Sequence, residues 1–255
     1  CARIRLPLIS ERHLIAAAKT PFHRQYRENR FSGRGNGPKV LFFTGCLIDK
    51  IMPEVALDSL RALVHGGCRI LVPDSQGCCG IPALAGGDIT AFDTLVKHHL
   101  SLFDALEFDF LVTACATCTA TIKKIWPTLV REETLARKAD ALARKTLDIS
   151  QFLVETLDIP TLGAAEKAAP VTCHDPCHLK KSLGISAQPR ALVARAGYEI
   201  REMEKADACC GMGGSFNLFH YDLSRQIGAL KQAHITATGC PVVATGCPAC
   251  ILQIS

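Results

Sequence analysis

"LVTACATC" at residues 111–118 and "VATGCPAC" at residues 243–250 are two versions of one phrase. Each is a short apolar run, a small-residue turn and a Cys-x2-Cys. A brief apolar run that stops at a turn reads as a buried β-strand, so each phrase puts two thiols just beyond a strand end. Upstream of each lies a Cys-Cys-Gly, at Cys78, Cys79, Gly80 and at Cys209, Cys210, Gly211. Further upstream lies one more cysteine, Cys46 or Cys177. Cys46, Cys78 and Cys79 recur after 131 residues, and Cys115 and Cys118 after 132. "RALV" precedes both triplets, at 61–64 and 190–193. The chain is an internal duplication.

Strands and helices alternate through both copies. In the first, "KVLFF" (39–43), "RILV" (69–72) and "FLVT" (110–113) read as strands, with helices from Pro53 to about Val64 and over 88–107. In the second, "PVT" (170–172), "YEIREM" (198–203) and "PVVAT" (241–245) read as strands, with helices over 188–196 and about 216–237. The Ala-, Leu- and Arg-rich stretch 131–157 predicts helix. Such alternation implies parallel α/β units. The expected organisation is a basic leader and linker (1–38), a first unit (39–130), a helical connector (131–169) and a second unit (170–255). Ligands of open α/β sheets gather beyond the carboxyl ends of the strands. Cys46, Cys115, Cys177 and Cys247 all follow strands, so each copy delivers its thiols to one sheet edge. Glycine beside each pair is expected to let the backbone approach a bulky group closely.

Composition narrows the chemistry. Charged residues make up 21% and aromatic residues 6%, ordinary for a globular chain but poor in stacking surfaces. No apolar run approaches the ~20 residues of a membrane helix. The first residues, "CARIRLPLISERHLI", are broken by charges and a proline and do not read as a signal peptide. A soluble, intracellular protein is expected. The net charge of +5 is local: residues 1–38 carry eight Lys or Arg against two Asp or Glu, the rest 21 against 22. A basic leader can dock on an acidic partner or an anionic membrane surface, or be a solvated extended arm. No nucleic-acid reading motif accompanies it.

Fourteen cysteines without an export signal point to metal or redox chemistry rather than structural disulfides. Structural zinc takes four ligands, whereas each copy offers five thiols, two of them adjacent. A polynuclear centre uses neighbouring thiolates on different metals, and iron–sulfur clusters are normally held by cysteine. An iron–sulfur site is the favoured reading, with zinc, a dithiol pair and inert buried thiols as alternatives. Cys173 lies four residues before Cys177, but the repeat spacing selects Cys177 as the ligand and leaves Cys173 as core or a spare thiol. Cys1, Cys68 and Cys240 have no repeat partner. His174 and His178 flank Cys177, where they can hydrogen-bond to a sulfur or cap a helix. His98 and His99 read as surface residues of an amphipathic helix. "GMGGS" (211–215) lacks the Gly-Lys-Ser/Thr of a phosphate loop, and its glycines read as room for a cluster.

The patterns Cys-x31-Cys-Cys-x35-Cys-x2-Cys and Cys-x31-Cys-Cys-x36-Cys-x2-Cys resemble the cysteine-rich CCG domain. That domain occurs in pairs in the cysteine-rich subunit of heterodisulfide reductase. It also occurs in iron–sulfur subunits of glycolate oxidase, lactate-utilisation enzymes and anaerobic glycerol-3-phosphate dehydrogenase. The resemblance covers 39–255, and "HDPCHL" (174–179), "CCGMGGSF" (209–216) and "ATGCPAC" (244–250) favour the hydroxyacid-oxidase branch. It implies an α/β fold of two duplicated, Rossmann-like parallel-sheet CCG units related by pseudo-two-fold symmetry. It implies two four-iron clusters, non-cubane in the heterodisulfide reductase branch. Cys46, Cys78, Cys79, Cys115 and Cys118 would hold one, and Cys177, Cys209, Cys210, Cys247 and Cys250 the other. A cubane on four of the five thiols is the alternative. The implied function is electron relay from a flavoprotein 2-hydroxyacid dehydrogenase subunit to a quinone or other carrier. The alternative is disulfide cleavage at a cluster. "LPLISERHL" resembles the segment after a ferredoxin-like domain, which implies that the chain is the C-terminal part of a longer polypeptide or a shortened relative. A ferredoxin-like domain or subunit is then a partner. The implied location is cytoplasmic, with peripheral contact at the inner membrane face as the alternative.

Overall fold

The computed structural model describes residues 16–29, 35–161 and 169–255. Cys1 and most of the expected leader lie outside the described residues, as do the first three residues of the linker "SGRGNGP". The described part of the leader is not an extended arm. Phe22–Asn29 is a helix whose fully buried Phe22 meets Phe42 edge-on, with ring centroids 6.3 Å apart.

The larger sheet has four parallel strands, three from the first copy and one from the connector: β1 (Lys39–Phe42), β2 (Arg69–Leu71), β3 (Phe110–Thr113) and β4 (Thr146–Asp148). Their order is β2-β1-β3-β4. Val40 pairs with Ile70 on one side and Phe110 on the other, and Thr113 pairs with Asp148. Helices cover both faces of a parallel sheet, so its central strands read as continuous apolar runs. Val40, Leu41 and Phe42 are all fully buried. The helix Ile89–Asp104 is capped by Asp88, whose carboxylate accepts the Ala91 N–H at 2.9 Å. It buries Phe92, Val96, Leu100 and Phe103, the spacing of one helix face.

The second copy repeats the centre of this plan in reduced form. β5 (Val171–Cys173) and β6 (Val242–Ala244) pair in parallel, and Ile200 bridges to Val171 on the far side of β5. The order Ile200-β5-β6 matches β2-β1-β3. The expected strand 198–203 is therefore a single bridge. Its Glu199, Arg201 and Glu202 face solvent, and little apolar surface holds the rest against the sheet. The long second helix is also interrupted, running as Phe216–Phe219 and then Tyr221–Ala237. In the connector, Glu133–Lys145 is helical as expected, but Thr146–Asp148 leaves the helix to become β4.

The copies are in contact. Ala116–Ala120 packs on His178–Ser182, and Pro248–Ile254 packs on Cys46–Lys50. The Ala116 N–H donates to the Gly246 carbonyl at 3.0 Å. Ala116 is fully buried in a small core with Leu179, Ile185, Cys210, Cys247 and Cys250.

Candidate functional site

Every strand end that carries a thiol is followed by a tight turn into a helix. Cys46 opens the helix Cys46–Lys50 after β1. Cys115 and Cys247 hold matching extended conformations as N-caps of the helices after β3 and β6. The Cys115 sulfur accepts the Cys118 N–H at 3.5 Å. A helix N-terminus favours a thiolate over a thiol.

The Cys-Cys-Gly segments are loops tied down on several sides. Gln76 accepts the Thr44 N–H at 3.0 Å and donates to the Phe42 carbonyl at 2.9 Å, locking the first loop to the end of β1. The indole N–H of buried Trp126 donates to the Cys79 carbonyl at 2.9 Å. Gly80 and Gly211 both lie in the left-handed region, at φ 92° and 96°. A Cβ on Gly80 would stand 2.8 Å from the Phe92 ring, and one on Gly211 would stand 2.6 Å from the Ser224 carbonyl. The expectation that these glycines admit a bulky inorganic group needs correction. The close approach they permit is to the following helix. In "GMGGS", a Cβ on Gly213 would likewise meet Phe216, at 2.9 Å, whereas Gly214 meets nothing within 4 Å.

The thiols form one continuous group. Cys46 Sγ lies 3.5 Å from Cys78 Sγ. Cys79 lies against Cys118, and Cys118 against Cys115. In the second copy Cys210 Sγ lies 3.4 Å from Cys250 Sγ, which in turn meets Cys247. Cys209 adjoins Cys210, and its sulfur accepts the Gly211 N–H at 3.3 Å. Cys177 interacts electrostatically with Cys247 and Cys210. The two groups meet where Cys115 and Cys247 interact. Cys79, Cys115, Cys118, Cys210, Cys247 and Cys250 are buried, Cys46 and Cys78 half-buried, and Cys177 and Cys209 exposed. All these cysteines are free thiols.

Crowded sulfurs divide into proton donors and acceptors. Hydrogen bonds from Cys46 and Cys79, helped by the Gly80 N–H, hold Cys78 down to about 3. Its partner Cys46 is pushed well above the thiol range by that same contact. Contacts with Cys209, Cys250 and His174 lower Cys210, and contacts with Cys115 and Cys250 lower Cys247. Cys78, Cys210 and Cys247 are thus held towards thiolate, the form that binds metal, while burial and neighbouring sulfurs hold the other seven towards thiol.

Cys173 is buried within β5 and Cys68 is fully buried, both as core residues, while Cys240 is half-buried. His178 Nδ1 is 3.1 Å from the Thr117 hydroxyl. His174 Nδ1 meets the Ala206 carbonyl at 3.1 Å, and its Nε2 is buried with no hydrogen-bond partner. A ring nitrogen of His174 and the sulfurs of Cys210 and Cys250 all lie within 4.8 Å of one another. With Nδ1 turned to the carbonyl, Nε2 is the ring nitrogen left without a partner beside those sulfurs.

Three residues at the site escape a sequence reading. His99 is not on the surface: it is fully buried. Its Nε2 accepts the Gly77 N–H at 3.0 Å and its Nδ1 donates to the Leu95 carbonyl at 2.7 Å. Burial lowers its pKa to about 4. Lys231, fully buried on the helix Tyr221–Ala237, donates to the Lys205 carbonyl at 2.8 Å and the Ala206 carbonyl at 3.1 Å. Asp148, at the end of β4, is bonded to the N–H and hydroxyl of Ser150, and burial raises it to about 6. The 132-residue repeat offset pairs His99 with Lys231, which is the one sequence signal that links two of them.

Could this donor set hold a polynuclear metal–sulfur centre? Thiols neighbour one another along each copy, Cys177 joins its set only electrostatically, and the adjacent Cys pair suits separate metals better than one tetrahedral ion. The residues fit such a group.

Duplicated α/β units that collect thiols at the carboxyl edges of their strands define a class of cysteine-rich proteins. The cysteine-rich domain (CCG) family model matches residues 40–123 and again 171–255, and the chain belongs to this family. It is 34% identical over 223 residues to a fumarate reductase (CoM/CoB) subunit of Methanothermobacter marburgensis, covering 87% of this chain and 42% of that protein. It is 34% identical over 218 residues to a probable glycolate oxidase iron-sulfur subunit of Bacillus subtilis, covering 85% and 49%. It is 30% identical over 219 residues to lactate utilization protein A of an Exiguobacterium species, covering 85% and 89%. The chain thus spans about half the length of the first two relatives. Among the described residues, no helix is long and apolar enough to cross a membrane.

Proposed function

We propose that this chain is an iron–sulfur electron-transfer module with two multi-iron clusters. Cys46, Cys78, Cys79, Cys115 and Cys118 hold one, and Cys177, Cys209, Cys210, Cys247 and Cys250 the other. The carrying observation is that nine of the ten thiols run as neighbours from Cys46 to Cys209, joined at Cys115 and Cys247, with Cys177 coupled to Cys247 and Cys210 electrostatically. Clusters supply reversible one-electron acceptance. The chain's part is to keep thiolates ready, bury the inner sulfurs and hold the two sites side by side. The clusters are four-iron, of the non-cubane kind, one per five-thiol set. The units correspond to 39–130 and 170–255, joined by 131–169, and form a pseudo-two-fold pair. The reciprocal packing of Ala116–Ala120 and Pro248–Ile254 on the opposite copy supports that symmetry.

In the cell, the module takes electrons from a flavoprotein that oxidises a 2-hydroxy acid such as lactate or glycolate and passes them to a quinone or other carrier. A ferredoxin-like domain or subunit completes the path, in the cytoplasm or at the inner membrane face. The names of the glycolate oxidase and lactate utilization relatives support this reading. A second reading is reductive cleavage of a disulfide, in which two electrons and two protons convert R–S–S–R′ to two thiols. The exposed Cys177 and Cys209 favour it, because they leave one side of the second site open to a small molecule.

Anaerobic iron and sulfide quantification with electron paramagnetic resonance tests the proposal. Brown protein with roughly four irons per set is expected, and Cys209→Ser should alter the signal of one cluster. Colourless protein with stoichiometric zinc would sink it. Copurification with a flavoprotein supports relay, and disulfide turnover by the isolated chain supports cleavage.

A further inference from the structure

The repeat carries a hidden difference between its halves. In both copies the helix after the Cys-Cys-Gly loop packs on the triplet's glycine. Phe92 meets Gly80 in the first copy and Ser224 meets Gly211 in the second, at positions 132 residues apart. Seven residues further on, each helix directs a buried polar side chain at the backbone just before the cysteine pair. In the first copy this is His99, on the Gly77 N–H. In the second it is Lys231, on the Lys205 and Ala206 carbonyls.

The two clamps do the same mechanical work with opposite electrical consequences. His99 Nε2 accepts a backbone N–H and so carries no proton, and the ring is neutral. Lys231 only donates, to two carbonyls and to Met203 Sδ at 3.7 Å. All three contacts are neutral groups, so no carboxylate in contact cancels its charge. The other nearby cation, Arg190, is matched by Asp175 at 2.7 Å and Glu202 at 2.5 Å. Asp175 and exposed Asp207 act on Lys231 only at longer range. Asp148, in register with Thr113 near Cys115 and acting on Cys247, lies at the seam of both sets. Lys231 acts electrostatically on Cys210 and Cys250. A buried cation favours the more negative, reduced form of a neighbouring centre.

We propose that Lys231 makes the two thiol sets electrically unequal, so that a cluster on the second set has the higher reduction potential and is the electron sink of the pair. This rests on the cluster assignment above. It deepens that assignment by giving transfer within the chain a direction, from the first copy to the second.

The test is an anaerobic redox titration of the reconstituted chain, monitored by electron paramagnetic resonance. Cys177→Ser assigns the second cluster's signal. The wild type is expected to show two midpoint potentials, the higher one belonging to the second set. Lys231→Gln keeps a donor for the carbonyls and removes the charge. It should weaken reduction of that cluster at least tenfold, about 59 mV for a one-electron couple, and leave the other unmoved. Lys231→Arg should stay near wild type. Coincident potentials in the wild type, a higher potential on the first set, or equal shifts of both clusters would overturn the inference. So would a silent Lys231→Gln. If Lys231→Gln does not fold, the wild-type order and Lys231→Arg still decide. Absence of iron from every variant would overturn the cluster assignment itself, and this inference with it.

Discussion

The Thr117 hydroxyl lies 3.5 Å from the Cys247 sulfur, a residue of the other copy of the repeat. The same hydroxyl is 3.1 Å from His178 Nδ1. One threonine of the first unit therefore serves two polar groups of the second. Thr117→Val keeps the shape and removes both contacts. We expect a loss of about 1–2 kcal/mol, because the two partners are left unsatisfied. Urea unfolding of the reduced protein measures it, and an unchanged midpoint would show that this contact contributes nothing.

Gly211 and Gly214 both have positive φ, at 96° and 62°, yet they differ in surroundings. A Cβ at Gly211 would press on the Ser224 carbonyl at 2.6 Å and the Gly228 nitrogen at 3.0 Å, both rigid backbone. One at Gly214 would touch nothing within 4 Å. Gly211→Ala should cost more than about 2 kcal/mol, from backbone strain plus steric displacement. Gly214→Ala should cost about 1 kcal/mol, from strain alone. Equal effects in thermal melts would refute the helix contact as the reason for Gly211.

His99 and Asp148 pull the pH dependence of stability in opposite directions. His99 titrates near 4 when folded, below the unfolded imidazole at about 6.5. Between these values the unfolded chain holds more protons, so lowering the pH removes about 3 kcal/mol. Asp148 titrates near 6 when folded, above the unfolded carboxyl at about 3.9. There the folded chain holds more protons, so raising the pH through the window removes about 3 kcal/mol. Relative to wild type, His99→Gln should gain as pH falls through its window and Asp148→Asn as pH rises through its own. Unfolding titrations across both windows check this, and pH-independent differences would contradict it.

Spare thiols should be separable from the rest by iron content. Cys68→Ala, Cys173→Ala and Cys240→Ser are expected to keep wild-type iron after anaerobic reconstitution. Cys118→Ser should lose about half, the share of one of two clusters. Iron loss in Cys173→Ala would move Cys173 into the second set.

The duplication and the strand-end thiols were legible because a repeated spacing survives whatever packs around it. β4 was not. Thr146–Asp148 contains one apolar residue and directly follows a strong helix former, so only pairing with β3 makes it a strand. The expected strand 198–203 failed for the reverse reason: its β-forming Tyr198 and Ile200 are interleaved with exposed charges, and only Ile200 bridges to β5. His99 looked like a surface residue beside exposed His98. Its burial depends on a partner 22 residues away in sequence, the Gly77 N–H that its Nε2 accepts. No local pattern encodes that fit.

Ala116 belongs by sequence to the first unit and by packing to the core of the second. A fragment carrying only one unit would bare that seam to water. The duplicated chain therefore behaves like a dimer whose halves have been tied together. A single-copy ancestor would have had to find its twin at each folding event, with a stability that depended on concentration. Fusion makes that encounter intramolecular and leaves the two halves free to differ, with a histidine in one where the other has a lysine.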